Sequence, residues 1–177
     1  MEQKIDMIVN RLPAKTWNRL SVNQAEIKNL EADGWQRPAV TVRYPKDEKP
    51  IVRELTTEQE SSVYKKMEQI RTGMGAEVSR LKLEDATDIC VETVEEGGES
   101  DERRERMRRD EVVLVLDYPD RKNCFQDVKI YARAGECVTV WTVVRSKKDA
   151  EGKAVLRTLM QAEENAKIRL VQVDLLG

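Results

Sequence analysis

Ile130-Tyr-Ala-Arg-Ala-Gly-Glu-Cys-Val-Thr-Val140 and Met160-Gln-Ala-Glu-Glu-Asn-Ala-Lys-Ile-Arg-Leu170 are the stretches on which the fold turns. Written one above the other, they align Ala132 with Ala162, Gly135 with Asn165, Val138 with Ile168 and Val140 with Leu170, at a period of 30 residues. Glycine and asparagine take positive-φ turns most easily, so their coincidence predicts a strand, a sharp corner and a strand, repeated. Stacked repeats of this kind suggest a β-solenoid in which each coil buries its apolar face against the next. The competing arrangement is a meander of antiparallel hairpins.

Outward from these repeats, everything after residue 111 has β character. Residues 112–116, 128–132, 138–144, 156–160 and 168–175 are rich in β-branched and aliphatic side chains, with turn signals at Pro119-Asp120, Gly135, Gly152 and Asn165. Upstream, Ile89-Cys90-Val91 reads as extended. Residues 95–111 then carry Gly97-Gly98 and the arginines Arg103, Arg104, Arg106, Arg108 and Arg109. Asp101, Glu102, Glu105, Asp110 and Glu111 balance those arginines one for one, which makes the stretch a solvated linker and not a phosphate site.

The first part reads as helical. Ile5, Ile8, Val9 and Leu12 follow an i, i+3, i+4, i+7 pattern that Pro13 ends, and a short piece runs through Trp17 and Leu20. Asn23 and Glu26 form a capping-box-like start to a helix with Ile27 and Leu30, stopped at Asp33-Gly34. Pro38, Pro45 and Pro50 interrupt the next stretch, where Val40-Thr41-Val42 predicts at most a short strand. Thr57 and Glu60 then cap a helix whose stripe is Val63, Met67, Ile70, Met74, Val78 and Leu81, divided at Gly73-Met74-Gly75. The expected domains are a helical region over 1–86, a charged linker with a short strand over 87–111, and a β region over 112–177.

The 177 residues carry 31 basic and 33 acidic side chains, a net charge of −2 that argues against nucleic-acid binding held by bulk charge. Histidine is absent, which removes His-based acid/base catalysis, Ser-His and Cys-His nucleophile pairs and every His-containing metal site. The aliphatic run 112–116 is too short to cross a bilayer and the first residues lead into no signal-peptide segment, so a soluble, cytoplasmic protein is expected. Cys90, Cys124 and Cys137 lie 34 and 13 residues apart with no C-x-x-C pair, as in reduced thiols. They lack the four convergent thiolates of an iron-sulfur site, and burial in or beside strands is the expected role of Cys90 and Cys137. Trp17 and Trp35 are read as helix-packing residues and Gly73-Met74-Gly75 as no phosphate loop. No catalytic, cofactor-binding or metal-ligating residue is nominated.

Three strings carry a family resemblance. Asn10-Arg-Leu-Pro-Ala-Lys-Thr-Trp-Asn-Arg-Leu-Ser-Val-Asn23 resembles the N-terminal signature of SufD-like proteins, and Arg71-Thr-Gly-Met-Gly75 resembles their helix-terminating segment. The stretch Ala162-Glu-Glu-Asn-Ala-Lys-Ile-Arg-Leu-Val-Gln-Val-Asp-Leu-Leu-Gly177 is similar to an early β-helix coil of the SufB/SufD core. The resemblance implies an α+β fold, with an N-terminal helical region followed by the first coils of a right-handed parallel β-helix. It covers only the N-terminal portion of the family, as in a fragment or a truncated member, and the family's cluster-handling cysteine and histidine positions have no match here.

The function this implies is that of a non-catalytic scaffold subunit of the SUF iron-sulfur cluster assembly system. SufB-like and SufC-like subunits are the implied partners, no cofactor resides in this chain, and the cluster is handled by the full complex. The rival is a stand-alone protein-interaction adaptor of the same ancestry. A small β-rich enzyme is disfavoured by the missing histidines and nucleophile constellation. Neither nucleic acid nor membrane is an expected partner. Because a solenoid with an open last coil exposes an apolar face and unpaired backbone groups, self-association through the terminal strand is a further expectation.

Overall fold

In the computed structural model the described residues are 4–9, 25–45, 50–56, 67, 87–93, 109–149 and 151–176, and their regular elements are all strands. In chain order these are β1 (Lys4–Val9), β2 (Ala25–Glu31), β3 (Trp35–Gln36), β4 (Ala39–Arg43), β5 (Ile51–Thr56) and β6 (Thr87–Glu92). The longer strands follow: β7 (Arg109–Asp117), β8 (Asn123–Ala132), β9 (Cys137–Arg145), β10 (Ala154–Ala162) and β11 (Lys167–Leu175). They form a five-stranded sheet with the path β10-β8-β6-β5 and β3 also on β8, a four-stranded sheet β11-β9-β7-β4, and the pair β1-β2.

From β8 onward the chain alternates between the two larger sheets, with β8 and β10 in one and β9 and β11 in the other. The 30-residue echo becomes a parallel register. Ala154 pairs with Cys124 through to Ala162 with Ala132, and Lys167 pairs with Cys137 through to Leu175 with Arg145. Gly135 (φ +76°) and Asn165 (φ +57°) occupy the two corners in the left-handed conformation that their residue types favour. The corners stack on each other as Gly135 N–H donates to Glu164 O (2.9 Å) and Lys167 N–H donates to Glu136 O (2.8 Å).

Period-two patterning places Val112, Leu114 and Leu116 of β7 and Val138, Val140 and Val144 of β9 against Cys124, Val128, Ile130 and Ala132 of β8. This is one core between the two sheets, and each fully buried aliphatic side chain in it contributes about 1.5–3 kcal/mol. Val40 and Val42 join it from the predicted short strand, now β4. A second cluster, formed by Ile5, Met7, Leu30, Ala32, Trp35, Phe125 and Val155, fixes β1-β2 to the outer face of the five-stranded sheet.

This architecture corrects the α+β expectation. Residues 4–9 and 25–31 are an antiparallel strand pair, not helices. The apolar positions of β1 fit both periods, and the strand buries Ile5 and Met7 while leaving Ile8 38% exposed. In β2, Ile27 and Leu30 have helical spacing, but a β-bulge slips the register so that Met7 faces Ile27 while Ile5 faces Leu30. Asn29 sits beside that slip at φ +55°, and its N–H donates to Asp6 Oδ1 at 2.8 Å. Gly34 (φ +78°) makes a turn between strands, not a helix stop, and Trp35 packs among strands.

The right-handed parallel β-helix is corrected too. Two separate sheets face each other without closing into a coil, and each ends in an antiparallel strand, β4 on β7 and β5 on β6. The 30-residue offset also fails upstream, where Ile89 pairs with Val128 and Arg109 with Cys137, offsets of 39 and 28. The helical piece expected through Trp17 and Leu20, the helix expected from Thr57 through Leu81 apart from Met67, and residues 94–108 of the expected charged linker lie outside the described residues. Met67 has a helical backbone and is buried against Cys90, Tyr131 and Leu159.

Candidate interaction surface

Central strand β8 is buried on both faces. Its inner residues enter the core, and its outer row is Phe125, Asp127, Lys129 and Tyr131, a mixture that needs internal partners. Arg157, in register with Asp127 on β10, donates from Nε and Nη2 to the two carboxylate oxygens, and its guanidinium stands 5.7 Å from the centre of the Phe125 ring. Lys129 Nζ donates to Asp88 Oδ2 at 2.6 Å. Tyr131 donates its hydroxyl proton to Glu163, whose other oxygen accepts the Ala134 N–H at 3.1 Å, and Arg133 pairs with Glu92. Burial raises the Asp127 carboxyl above its ordinary value, with the Arg157 hydrogen bonds and charge acting in the opposite direction. These cross-strand pairs hold β6, β8 and β10 in register.

The end of the stack is different. β10 and β11 are the outermost strands of their sheets at the same end, and among the described residues no strand pairs with their outer edges. Their core-facing rows are only half covered. Leu156, Ile168 and Leu170 are partly buried, Met160 is 48% exposed, and Leu175 and Leu176 beyond them are also exposed. An open groove of about 480 Å³ lies at the start of β9 and β11, lined by Cys137, Val138, Thr139, Ala166, Lys167, Ile168 and Arg169. Lys167 and Arg169 point outward from β11 and are exposed.

The cysteines do not converge. Cys90 is buried with Met67, Tyr131 and Leu159, Cys124 lies in the core between the sheets, and Cys137 is half-buried at the start of β9. Burial pushes the Cys124 thiol up, which keeps it protonated at neutral pH. Among the described residues no group of three or more His, Cys, Asp or Glu side chains is placed to hold a metal ion.

Sequence reasoning missed the Asp127/Arg157 pair, although the same 30-residue offset that aligns Gly135 with Asn165 also aligns these two. It also missed Trp141, whose Nε1–H donates to Glu111 Oε1 at 2.8 Å on the outer face of the four-stranded sheet. Trp17 lies outside the described residues.

The chain matches no family model, no curated protein and no solved structure. The SufD-like reading and its iron-sulfur assembly role therefore rest on the three quoted strings alone, and the β-helix they implied is replaced by two open, facing sheets. No helix among the described residues is long and apolar enough to cross a membrane.

Proposed function

We propose that this chain is a non-catalytic scaffold that docks other proteins along the open β10/β11 end. As the quoted strings imply, its place is beside SufB-like and SufC-like subunits. The observation that carries the scaffold reading is the placement at one end of two strand edges that no strand pairs with among the described residues, with a half-covered apolar row between them. Such an edge presents a line of backbone donors and acceptors, and an added β element satisfies them while covering the apolar row. The buried charges of the outer face already have partners within the chain, which leaves that face to hold the scaffold rigid.

Co-expression of the tagged chain with SufB-like and SufC-like proteins from the same source tests the proposal. Stoichiometric retention of the SufB-like protein, lost on Met160→Asp, is the expected result. Retention of neither subunit removes the assembly role. Retention that is indifferent to Met160→Asp moves the docking surface elsewhere.

A further inference from the structure

We infer that the outer face of the four-stranded sheet docks an acidic amphipathic helix of another protein. In the register of β7, β9 and β11, Val113, Trp141 and Val171 form one row and Val115, Val143 and Val173 the next, so six apolar side chains stand side by side on this face. The inward residues of β7 and β9 are buried, but outward Val113, Trp141, Val143, Val171 and Val173 are only half-buried. The two sheets differ in this respect. β1-β2 and Met67 pack on the outer face of the five-stranded sheet, whereas among the described residues no element packs on the outer face of the four-stranded one. A sheet with apolar rows on both faces calls for a further layer.

A helix fits that layer better than a strand. The backbone groups of β7 and β9 are taken up in ladders on both sides, so a strand laid on this face finds no hydrogen bonds, while a helix satisfies its own backbone and offers an aliphatic stripe to the valines. From the Lys167 row to the Val173 row the face is about 20 Å long, the length of a helix of about four turns. A contact of this size makes a transient complex.

Charge selects the chemistry of the helix. The carboxylates on this face are engaged: Glu111 accepts the Trp141 Nε1–H at 2.8 Å, and Asp117 accepts from Nε and Nη2 of Arg145, each at 2.7 Å. Lys167 and Arg169 precede Val171 on the same face, and Arg43 of β4 is the register partner of Val113. All three are exposed and have no ion-pair partner among the described residues. The groove of about 480 Å³ at the start of β9 and β11 includes outward-facing Cys137, Thr139, Lys167 and Arg169 in its lining, which gives a partner's carboxylates a recess beside two cations. A second copy would set the same surplus of basic groups against itself. The valines lie flush with the sheet and cannot reach the depth of about 5–10 Å at which an interfacial anchor sits in a bilayer.

Anisotropy titration of a labelled helical peptide of about 16 residues, with leucine along one stripe and glutamate on both flanks, against the full chain tests this surface. The expected result is saturable micromolar binding, weakened about tenfold by Trp141→Ser and about tenfold by the double substitution Lys167→Glu with Arg169→Glu. The double variant is expected instead to bind the twin peptide that carries lysine for glutamate. Both basic residues are exposed, so their replacement leaves the core intact, and circular dichroism verifies it. Where Trp141→Ser alters the fold, Val171→Ser on the outermost strand reads the apolar rows in its place. No binding of the glutamate peptide, equal binding of the lysine peptide by the wild type, or binding indifferent to these substitutions would overturn the inference. Binding to phosphatidylserine vesicles without binding to the peptide would also overturn it and assign the face to a lipid surface. No SufB-like or SufC-like protein is involved, so these outcomes leave the reading of the β10/β11 end as it stands.

Discussion

Asp127 on β8 and Arg157 on β10 are register partners 30 residues apart, and the guanidinium grips both carboxylate oxygens on the buried outer face of the five-stranded sheet. Removing one member strands a buried charge, so Arg157→Leu is expected to cost about 3–5 kcal/mol in urea denaturation at neutral pH. Replacing both with leucine is expected to recover most of that loss. A single substitution costing less than about 1 kcal/mol would show that the pair is solvated.

The same carboxyl sets a pH dependence. Its pKa is raised by burial, so the folded chain keeps the Asp127 proton to a higher pH than the unfolded chain does. This contribution to stability is largest below the unfolded aspartate value of about 3.9 and declines as pH rises through the raised folded value. Urea midpoints of Asp127→Asn, which cannot ionise, should lack that decline when set against wild type across the acidic range. Parallel curves for the two proteins would contradict it.

Gly152 has φ +138°, and an added Cβ would stand 2.5 Å from the Lys122 carbonyl oxygen. Gly152→Ala is therefore expected to destabilise by about 2 kcal/mol or more. Gly135→Asn, at φ +76° with open space around it and an asparagine at the equivalent corner, should cost less than about 1 kcal/mol. Thermal denaturation of the two variants side by side checks the ranking, and equal losses would refute it.

Thr142 is fully buried on the inner face of β9, and its hydroxyl has no hydrogen-bond partner among the described residues. Thr142→Val removes an unsatisfied polar group and should raise stability by about 1 kcal/mol. A loss of that size instead would place a partner against the hydroxyl.

Thiol labelling should follow burial. Cys137 is half-buried and should react with iodoacetamide in the native state, whereas Cys90 and Cys124 should need denaturant, the latter also because burial keeps its thiol protonated. Peptide mass spectrometry of briefly labelled protein reads the order. Cys124 reacting as fast as Cys137 would mean that the core between the sheets is open.

The legible part of this fold was the part with one consistent period. Residues 112–175 are rich enough in β-branched and aliphatic side chains, between clear turn signals, that all five strands were visible, and Gly135 and Asn165 marked corners that do take positive φ. The N-terminal strands were misread for local reasons. Ile5, Met7 and Val9 satisfy a strand as well as Ile5, Ile8 and Val9 satisfy a helix, and the bulge beside Asn29 brings Ile27 and Leu30 to one face at a spacing that mimics a helical turn. Sheet closure depends on how 87–111 joins the strands, where the offsets of 39 and 28 break the repeat, and no local pattern announces that. The outer ionic row was recoverable, since the repeat that pairs the corners also pairs Asp127 with Arg157. The open end was anticipated only for the terminal strand, because the parallel placement of β10 beside it is a property of the whole stack.

Hydrogen–deuterium exchange of the chain with and without added SufB-like and SufC-like proteins tests the proposed docking surface most directly. Unpaired edge amides exchange fast and become protected when a β element adds to them. The account predicts new protection concentrated in residues 154–175, with the strands β6 to β9 already protected and unchanged. Protection appearing elsewhere while 154–175 continues to exchange as in the unbound chain would contradict it.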